Sequence, residues 1–405
     1  MKAVTNINSL LVALILTGGA LRFITGIEQT LYYLCCTVLL AMFTFFKLFL
    51  ERPRVNKMSV IYILLICFLL TWLAITSMWS YSAEQYKTDL LLIVSNLALV
   101  ILLCLNISKR FLMNVIFYSI LSTLLVSLFV IYQSGGVIGI KGYGTIVDEF
   151  YLTAGRAVAL GFIASLIQFL YAKRHQAFWI IVAVIHVAAL SICTARGPLI
   201  FSLLIVLMLF STGLRITGNQ VLIDKSVMKR YLTIVIPVAA AAVILALQVD
   251  SFSTRLIRLM SFTVELSEGG RGAIWQNALA SIEASPLLGY GLGSSGIMSG
   301  AGENLYAHNL ILQVWLDGGA LGLLLLIPVI MLPVVAFFKN RGCQGAGANG
   351  IAITVFCCYI LLLLEYSKSH SFYIARDFLF FGLATVQYLG GAGDSKEKEG
   401  AVCIK

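Results

Sequence analysis

The stretch RGAIWQNALASIEASPLLGYGLGSSGIMSGAGENLYAHNLILQVWLDGGALG, Arg271–Gly322, decides how the rest of the chain is interpreted. It is the longest part of the protein that the interior of a bilayer would not accept, and it ends by running into an apolar segment. Its distinctive residues are Arg271 and Trp275, then Pro286 with Gly289, Gly291 and Gly293, then Tyr306-Ala307-His308-Asn309. We expect the remainder of the chain to surround this stretch and hold it in place.

The amino-acid composition of the chain is that of a membrane protein. Hydrophobic residues make up 60% of the 405 positions and charged residues only 11%, and the mean hydropathy is +0.97. These values exclude an ordinary soluble domain. Apolar runs that approach the length of a membrane span predict an all-α, polytopic fold with about twelve transmembrane helices, at 8–25, 30–49, 58–77, 88–106, 111–132, 157–172, 177–193, 198–213, 231–248, 310–338, 350–366 and 372–389.

The positive charges predict the orientation, since Lys and Arg in short loops stay on the cytoplasmic side. With both termini in the cytoplasm, 18 of the 28 Lys and Arg residues fall on that side. Residues 1–405 then form a single transmembrane domain with two large loops on the outer face, 133–156 and 249–309. The net charge of +10 follows mostly from this bias and indicates no nucleic-acid partner.

The larger outer loop, 249–309, carries predicted short helices. Residues 251–268 have charged and apolar residues at helical spacing, typical of an amphipathic helix lying on the membrane. Residues 271–284 predict a second helix with Arg271 in its first turn, which Pro286 ends. Further along the chain, Gly318, Gly319 and Gly322 would let neighbouring helices approach closely at the start of the tenth span.

Four arginines map to the outer face, where a membrane protein would normally avoid them: Arg156, Arg196, Arg271 and Arg376. Their fork geometry suits bidentate binding of phosphate. Arg196 lies in a tight hairpin at membrane depth, which makes it a functional candidate unless it snorkels to the interface. Arg156 could equally form an ion pair with Asp148 or Glu149, and Arg376 and Asp377 could neutralise other charges in the bundle.

His308 is a candidate general base. A neutral histidine beside such arginines could deprotonate a hydroxyl while the arginines stabilise a departing diphosphate. We expect no cofactor and no metal site, because clusters of carboxylates that hard divalent ions prefer are not evident and the nine cysteines contain no C-x-x-C pair. Asp148, Glu149, Glu268 and Glu303 could still contribute a carboxylate. His186 lies inside a predicted span, where core packing or a hydrogen bond between helices is expected.

These motifs resemble the O-antigen ligase and polysaccharide polymerase superfamily. The matching features run from Ala195-Arg196-Gly197 through Arg271-x-x-x-Trp275 and the glycine turn to His308-Asn309, with Gly318, Gly319 and Gly322 beyond. Each motif alone is weak, but their order and spacing over 196–322 and the topology throughout carry the resemblance. The superfamily also has a large outer loop late in the chain, which corresponds to the loop after about nine spans here.

The resemblance implies a metal-independent, inverting glycosyltransferase with a GT-C-like helical fold in the bacterial inner membrane. Its donor would be an undecaprenyl-diphosphate-linked oligosaccharide, handled on the periplasmic face. His308 would be the general base, Arg196 and Arg271 would hold the diphosphate, and Arg156 would be a further arginine of the donor pocket. Residues of secondary interest are Arg376, Tyr306, Asn309 and Lys141.

The acceptor divides the superfamily. Polymerases extend a lipid-linked repeat unit, with a chain-length regulator protein as a further partner, whereas ligases pass finished O-antigen to lipid A–core. Tyr306-x-His308-Asn309 and the stretch 144–151 are slightly more similar to polymerases, although Glu149-Phe150 departs from their pattern. A polytopic lipid or sugar transporter is the alternative from another class. Transporters often have inverted repeats and helices broken near the membrane midplane, and the sequence shows neither.

Overall fold

A computed structural model describes most of the chain. The described residues are 2–53, 55–133, 150–172, 174–193, 195–211, 214–217, 220–223, 225–233, 235, 271–303, 305–340 and 346–397. The predicted amphipathic helix 251–268, most of the ninth span and Lys141 lie outside these ranges. So do Asp148 and Glu149.

The described residues form a helical bundle, which confirms the predicted fold class. Its long helices are α1 Lys2–Thr25, α2 Gln29–Leu50, α3 Lys57–Thr76, α4 Gln85–Cys104, α5 Lys109–Gln133, α6 Phe150–Tyr171, α7 Gln176–Ile192, α8 Arg196–Phe210, α9 Arg271–Ala284, α10 Leu310–Asn340, α11 Ala346–Ser369 and α12 Arg376–Glu397. One short antiparallel hairpin, Leu214–Thr217 with Gln220–Ile223, interrupts the helical pattern.

Eight of the described helices are long and apolar enough to cross a membrane. They correspond to α1–α6, α10 and α11, and each overlaps one predicted span. The apolar helices α7 and α8 are shorter, and α12 overlaps the predicted span 372–389. The chain is therefore a polytopic membrane protein, and the predicted total of about twelve spans stays a prediction.

Helices α6 and α11 form the centre of the bundle. In their apolar windows 72% and 78% of the residues are buried, whereas α2 buries only 22% and lies at the edge. Helix α11 packs against α6, α8, α10 and α12, and its large side chains Phe356, Tyr359 and Tyr366 are fully buried. Polar residues on α6 and α11 are consequently enclosed by protein.

The glycine-rich turn that follows α9, at residues 286–291, forms hydrogen bonds with α10 where that helix is interrupted at Gly319. Gly319 has φ 62°, a left-handed conformation that glycine adopts at little cost. At this break Tyr290 N–H donates to the carbonyl of Leu316 (2.7 Å), Gly291 N–H to that of Asp317 (3.1 Å), and Ala320 N–H to that of Pro286 (2.9 Å). The turn thus supplies the hydrogen bonds that the interrupted helix lacks.

Helix α9 begins at Arg271 and ends at Ala284, as predicted. Its buried residues Ala278 and Ile282 pack with Ala307 and Leu316, so α9 lies across the segment that leads into α10. This packing holds Arg271 and the residues around His308 at the same end of the bundle, which we call the site end.

Candidate functional site

His308 lies in the last turn before α10 in a strained backbone conformation. Its φ is 52°, which is uncommon for a residue with a side chain, and such strain persists where the surrounding structure enforces it. The imidazole packs against the ring of Tyr306, with centroids 4.5 Å apart. Its Nδ1 atom is buried and has no hydrogen-bond partner among the described residues.

Burial, followed by the nearby Arg271 guanidinium, lowers the pKa of His308 to about 4. The imidazole is therefore neutral at physiological pH, as a proton acceptor has to be. An anion bound beside Arg271 would offset that positive charge and raise the pKa of His308 again. The histidine would then become a stronger base when the site is filled.

Asn309 has a structural role that follows from its position. Its side-chain Oδ1 accepts hydrogen bonds from the backbone N–H groups of Ile311 (2.9 Å) and Leu312 (3.1 Å). This is the N-cap arrangement that satisfies the free donors of a helix start. Asn309 therefore fixes where α10 begins and, with it, the position of His308.

Arg271 is the first residue of α9 and reaches the end of α11. Its Nη2 atom donates to the Oγ atom of Ser369 at 2.9 Å. On the next turn of the same helix, the indole Nε1 of Trp275 is buried without a partner in the described part of the chain. The motif Arg271-x-x-x-Trp275 thus brings two hydrogen-bond donors to one face of α9.

Arg156 is enclosed between α6, α11 and α12. Its Nε atom lies 3.6 Å from Oδ2 of Asp377, and its Cζ atom lies 5.1 Å from the centre of the Tyr366 ring. Tyr366 in turn donates its hydroxyl to Oδ1 of Asp377 (2.7 Å). Arg156 therefore forms an ion pair with Asp377. The two carboxylates that the sequence suggested as partners, Asp148 and Glu149, lie outside the described residues.

The Arg156–Asp377 pair leaves donor capacity free. The Nη1 atom of Arg156 is buried and lacks a hydrogen-bond partner among the described residues. Since a guanidinium carries five N–H donors, the ion pair uses only part of what Arg156 can offer. Asp377 does neutralise a charge in the bundle, as the sequence indicated.

Arg376 lines the same cavity as Arg156. Its Cζ atom lies 4.4 Å from the centre of the Tyr33 ring, and its Nε atom donates to Oδ1 of Asn96 at 3.4 Å. The cavity is lined on other sides by Gly19, Thr153, Leu160 and Asp377, among other residues. The structure therefore brings two of the four predicted arginines to one cavity between α1, α6 and α12.

Arg196 is the first residue of α8, and its backbone lies at the site end. The following residue, Gly197, faces the carboxylate of Glu365: a Cβ atom at that position would lie 2.7 Å from Oε1. The start of α8 and the outer part of α11 are therefore in direct contact. Lys141 lies outside the described residues.

Sequence reasoning missed Glu365. It lies within the apolar run of α11, is 2% exposed, and has a buried Oε1 atom with no hydrogen-bond partner in the described chain. An ionisable residue inside a predicted span is a functional signal in itself, and it should have been recognised. Arg156, Lys368 and Arg271 all lie close enough to act electrostatically on its carboxylate.

His370, just after α11, also belongs to this group. It is 5% exposed, and its Nε2 atom is buried with no partner among the described residues. Burial, and then the charges of Arg156 and Arg271 and the ring of His308, hold the pKa of His370 well below its usual range. We refer to Arg156, Arg271, His308, Glu365 and His370 as the open cluster, because four of its five members keep a buried polar atom unpaired.

A second polar group at the same end has its main hydrogen bonds formed. Oδ1 of the fully buried Asp317 accepts from the Ser295 backbone (2.8 Å), and Oδ2 accepts from the hydroxyl of Tyr373 (2.7 Å). Asp89 accepts a bond from Gln85 (3.0 Å). We refer to Gln85, Asp89, Ser295, Asp317 and Tyr373 as the closed cluster.

The closed cluster extends to its neighbours through further hydrogen bonds. The Asn96 amide donates to the Tyr373 carbonyl (2.7 Å), and Gln313 accepts from the Phe372 backbone (2.8 Å) and donates to Ser371 (2.9 Å). The hydroxyl of Tyr373 acts as the donor in its bond to Asp317.

His186, in contrast, has the structural role that the sequence predicted. Its Nε2 atom lies 3.0 Å from the Thr123 hydroxyl on α5, and its Nδ1 atom lies 2.7 Å from the Val182 carbonyl. Both ring nitrogens are thus paired within the bundle. Among the described residues, no three His, Cys, Asp or Glu side chains group closely enough to hold a metal ion.

The open cluster combines two chemical capacities. The guanidinium groups of Arg156 and Arg271 can bind an anion, and two neutral histidines with a carboxyl group can exchange hydrogen bonds or protons with a polar ligand. Buried polar atoms without partners are rare in folded proteins and call for an explanation. A ligand with both an anionic part and hydroxyl groups would satisfy them.

Residues 183–327 match the protein-family model described as O-antigen ligase. The matched segment includes Arg196, Arg271 and His308, whereas Arg156, Glu365 and His370 come from the flanking parts of the chain. No curated protein matches the chain.

Proposed function

Because residues 183–327 belong to the O-antigen ligase superfamily, we propose that the protein is a membrane glycosyltransferase that moves a glycan from undecaprenyl diphosphate to a sugar hydroxyl. The observation that supports this proposal is the open cluster, in which anion-binding groups and a neutral histidine lie together at the ends of membrane helices. The proposed site faces the periplasm of the bacterial inner membrane, with both termini in the cytoplasm.

In the proposed reaction His308 takes the proton of the acceptor hydroxyl. The hydroxyl oxygen then forms a bond to the anomeric carbon of the donor, and the bond from that carbon to the diphosphate oxygen breaks. Attack from the face opposite the leaving group inverts the anomeric configuration. The departing undecaprenyl diphosphate carries the negative charge, which Arg271 and Arg196 stabilise, with Arg156 as a further donor.

The proposed chemistry needs no metal ion, since the arginines offset the charge on the diphosphate. Addition of a chelator to the purified protein should leave the transfer rate unchanged. Strong inhibition that magnesium restores would contradict this part of the proposal.

We favour a polymerase that extends lipid-linked repeat units, on the basis of the sequence around Tyr306 and His308. A ligase that transfers O-antigen to lipid A–core is the second candidate, and the description of the matching family favours it. Membrane lipid and the lipid-linked glycan are the proposed partners of either enzyme, with a chain-length regulator protein in addition for a polymerase.

The surface glycan of a strain that lacks the protein tests both candidates. On a gel that resolves repeat units, lipid A–core carrying a single unit identifies the polymerase. Core without repeats, together with long chains on the undecaprenyl carrier, identifies the ligase. An unchanged O-antigen would mean that the protein acts on another surface polysaccharide. Purified protein that moves lipid-linked glycan across vesicles without forming a glycosidic bond would overturn the proposal in favour of a transporter.

A further inference from the structure

Glu365 is a buried ionisable residue that the proposed reaction does not use. It lies in the central helix α11, and its Oε1 atom is enclosed without a hydrogen-bond partner among the described residues. Burying a carboxyl group is costly unless it is paired. Since α11 could have carried another leucine at this position, a compensating interaction is expected.

The three cations that act electrostatically on Glu365 each contact another group. Arg156 forms its ion pair with Asp377, and Arg271 donates to Ser369. The Lys368 ammonium lies over the ring of Phe201 at 5.9 Å. These three cations influence Glu365 electrostatically, but none of the three forms an ion pair with it within 4 Å.

The acidic side chain of Glu365 indicates what kind of partner fits it. A diphosphate would be attracted by the arginines and repelled by a carboxylate, so Glu365 is poorly suited to contact it directly. A hydroxyl group, in contrast, donates a strong hydrogen bond to a carboxylate. The unpaired Nε2 atom of His370 next to the same arginines extends the group that can accept or donate such bonds.

We propose that Glu365 binds a hydroxyl group of the acceptor sugar, with its carboxylate placed between the arginines and the start of α8. This inference rests on the proposed glycosyl transfer and deepens it. The diphosphate side of the site comes from Arg156, Arg196 and Arg271, and the acceptor side from α11. Glu365 lies outside the segment that matches the family model.

Gly197 gives the carboxylate its position. A side chain at residue 197 would bring a Cβ atom 2.7 Å from Oε1 of Glu365 and 3.3 Å from Oε2. Because the far end of the Glu365 side chain can rotate away, the substitution Gly197→Ala should displace the carboxylate. Alanine is also favoured over glycine within a helix, so α8 itself should not be weakened.

The test compares Glu365→Gln with the exposed control Glu283→Gln on α9. Two inhibitors of transfer serve as probes: inorganic pyrophosphate for the anion side, and free oligosaccharide released by mild acid from the lipid-linked glycan for the acceptor side. We expect Glu365→Gln to raise the inhibition constant of the oligosaccharide by about tenfold or more, as for loss of a hydrogen bond to a charged group. The constant for pyrophosphate should stay unchanged.

Two results would overturn the inference. An unchanged oligosaccharide constant would show that Glu365 does not contact the acceptor side. A lower inhibition constant for pyrophosphate, with an unchanged inhibition constant for the oligosaccharide, would identify Glu365 as a counter-ion that merely restrains the arginines.

Gly197→Ala keeps the test decisive if Glu365→Gln does not fold. It should weaken oligosaccharide binding in the same direction by a smaller factor, and normal binding of both probes would contradict the inference. Wild-type protein that makes no glycosidic bond would refute the proposed function itself. A wild-type enzyme that is active beside an unaffected Glu365→Gln variant would refute only the role of Glu365.

Discussion

The open and closed clusters lie at the same end of the bundle but differ in how their polar atoms are satisfied. In the closed cluster each carboxylate oxygen of Asp317 accepts a bond from a group in the protein. In the open cluster Arg156, His308, Glu365 and His370 each keep an unpaired buried atom. His370 and Tyr373 are neighbours in one short segment, yet they belong to different clusters.

The difference separates folding from function. A polar group that is paired within the protein stabilises one arrangement of the helices, because breaking the pair leaves a buried group without a partner. A group that stays unpaired costs stability in the empty protein and recovers that cost when a ligand binds. Substitutions in the two clusters should therefore affect different measurements.

The largest effect on the open cluster is expected from His308→Asn. Asparagine tolerates the left-handed backbone at this position but cannot act as a base, so the transfer rate should fall by about 10²- to 10⁴-fold. The control is His175→Asn, since His175 also has a positive φ, 58°, and is exposed. Near-normal transfer by His308→Asn in purified protein, with the amount of folded protein unchanged, would remove His308 as the base.

Arg271→Lys should have the next largest effect. Lysine keeps the charge but loses the fork that can hold Ser369 and a phosphate oxygen together. We expect pyrophosphate to bind roughly 10- to 100-fold more weakly, as for lost charged hydrogen bonds. The exposed Arg174→Lys is the matched control. Equal pyrophosphate affinity in Arg271→Lys and wild type would mean that charge alone is needed.

Tyr373→Phe tests the closed cluster. It removes the hydroxyl that donates to Asp317 and should lower the free energy of unfolding by about 1–3 kcal/mol. Thermal unfolding in detergent measures this, with the exposed Tyr81→Phe as control. Affinity for pyrophosphate and oligosaccharide should not change below the melting temperature. A Tyr373→Phe variant with normal stability and impaired binding would show that the closed cluster serves binding rather than stability.

The smallest effect is expected from pH near neutrality. Because the pKa of His308 is lowered to about 4, transfer by the free enzyme should vary less than about twofold between pH 6 and 8. It should fall only as the pH approaches 4, whereas an ordinary histidine would lose its base form near pH 6.5. A fall in kcat/KM on the acid side with a midpoint near pH 6.5 would show that the pKa of His308 is not lowered, or that His308 is not the base.

The same shift affects stability in a defined direction. The folded-state pKa lies below the unfolded value, so the unfolded chain binds more protons between pH 6.5 and 4. The contribution of His308 to stability is therefore complete above pH 6.5 and is lost as the pH falls towards 4.

The sequence predicted the helices well, because an apolar run of sufficient length has few alternatives in a membrane. The helix from Arg271, its end before Pro286 and the close approach at Gly318 also followed from local patterns, and Trp72 indeed donates to the Gly318 carbonyl at 2.7 Å. The two ends of the helix depend on neighbouring residues alone, and the glycine at 318 permits the close approach, although the helix that makes use of it is distant in the chain.

The partners of the charged residues could not be predicted in the same way. Asp377 follows Arg156 by more than two hundred positions, and only the packing of α6 against α11, and of α11 against α12, brings them together. Glu365 was visible as a charge in an apolar run, but nothing local indicates that it faces Gly197. Long-range pairing of this kind is determined by tertiary packing rather than by spacing.

The break in α10 limits which parts of this protein can be exchanged. Residues 286–291 complete the hydrogen bonding of the helix around Gly319. This turn and α10 therefore form a single structural unit. An insertion there would unwind the start of a membrane helix. The exposed residues Gly302 and Glu303 make no such hydrogen bond to α10, since the backbone bonds of Gly302 run to Gly296 and Leu305. Loop grafts intended to alter sugar preference should therefore be joined near 302–303, and the Pro286–Gly291 turn should be inherited together with α10.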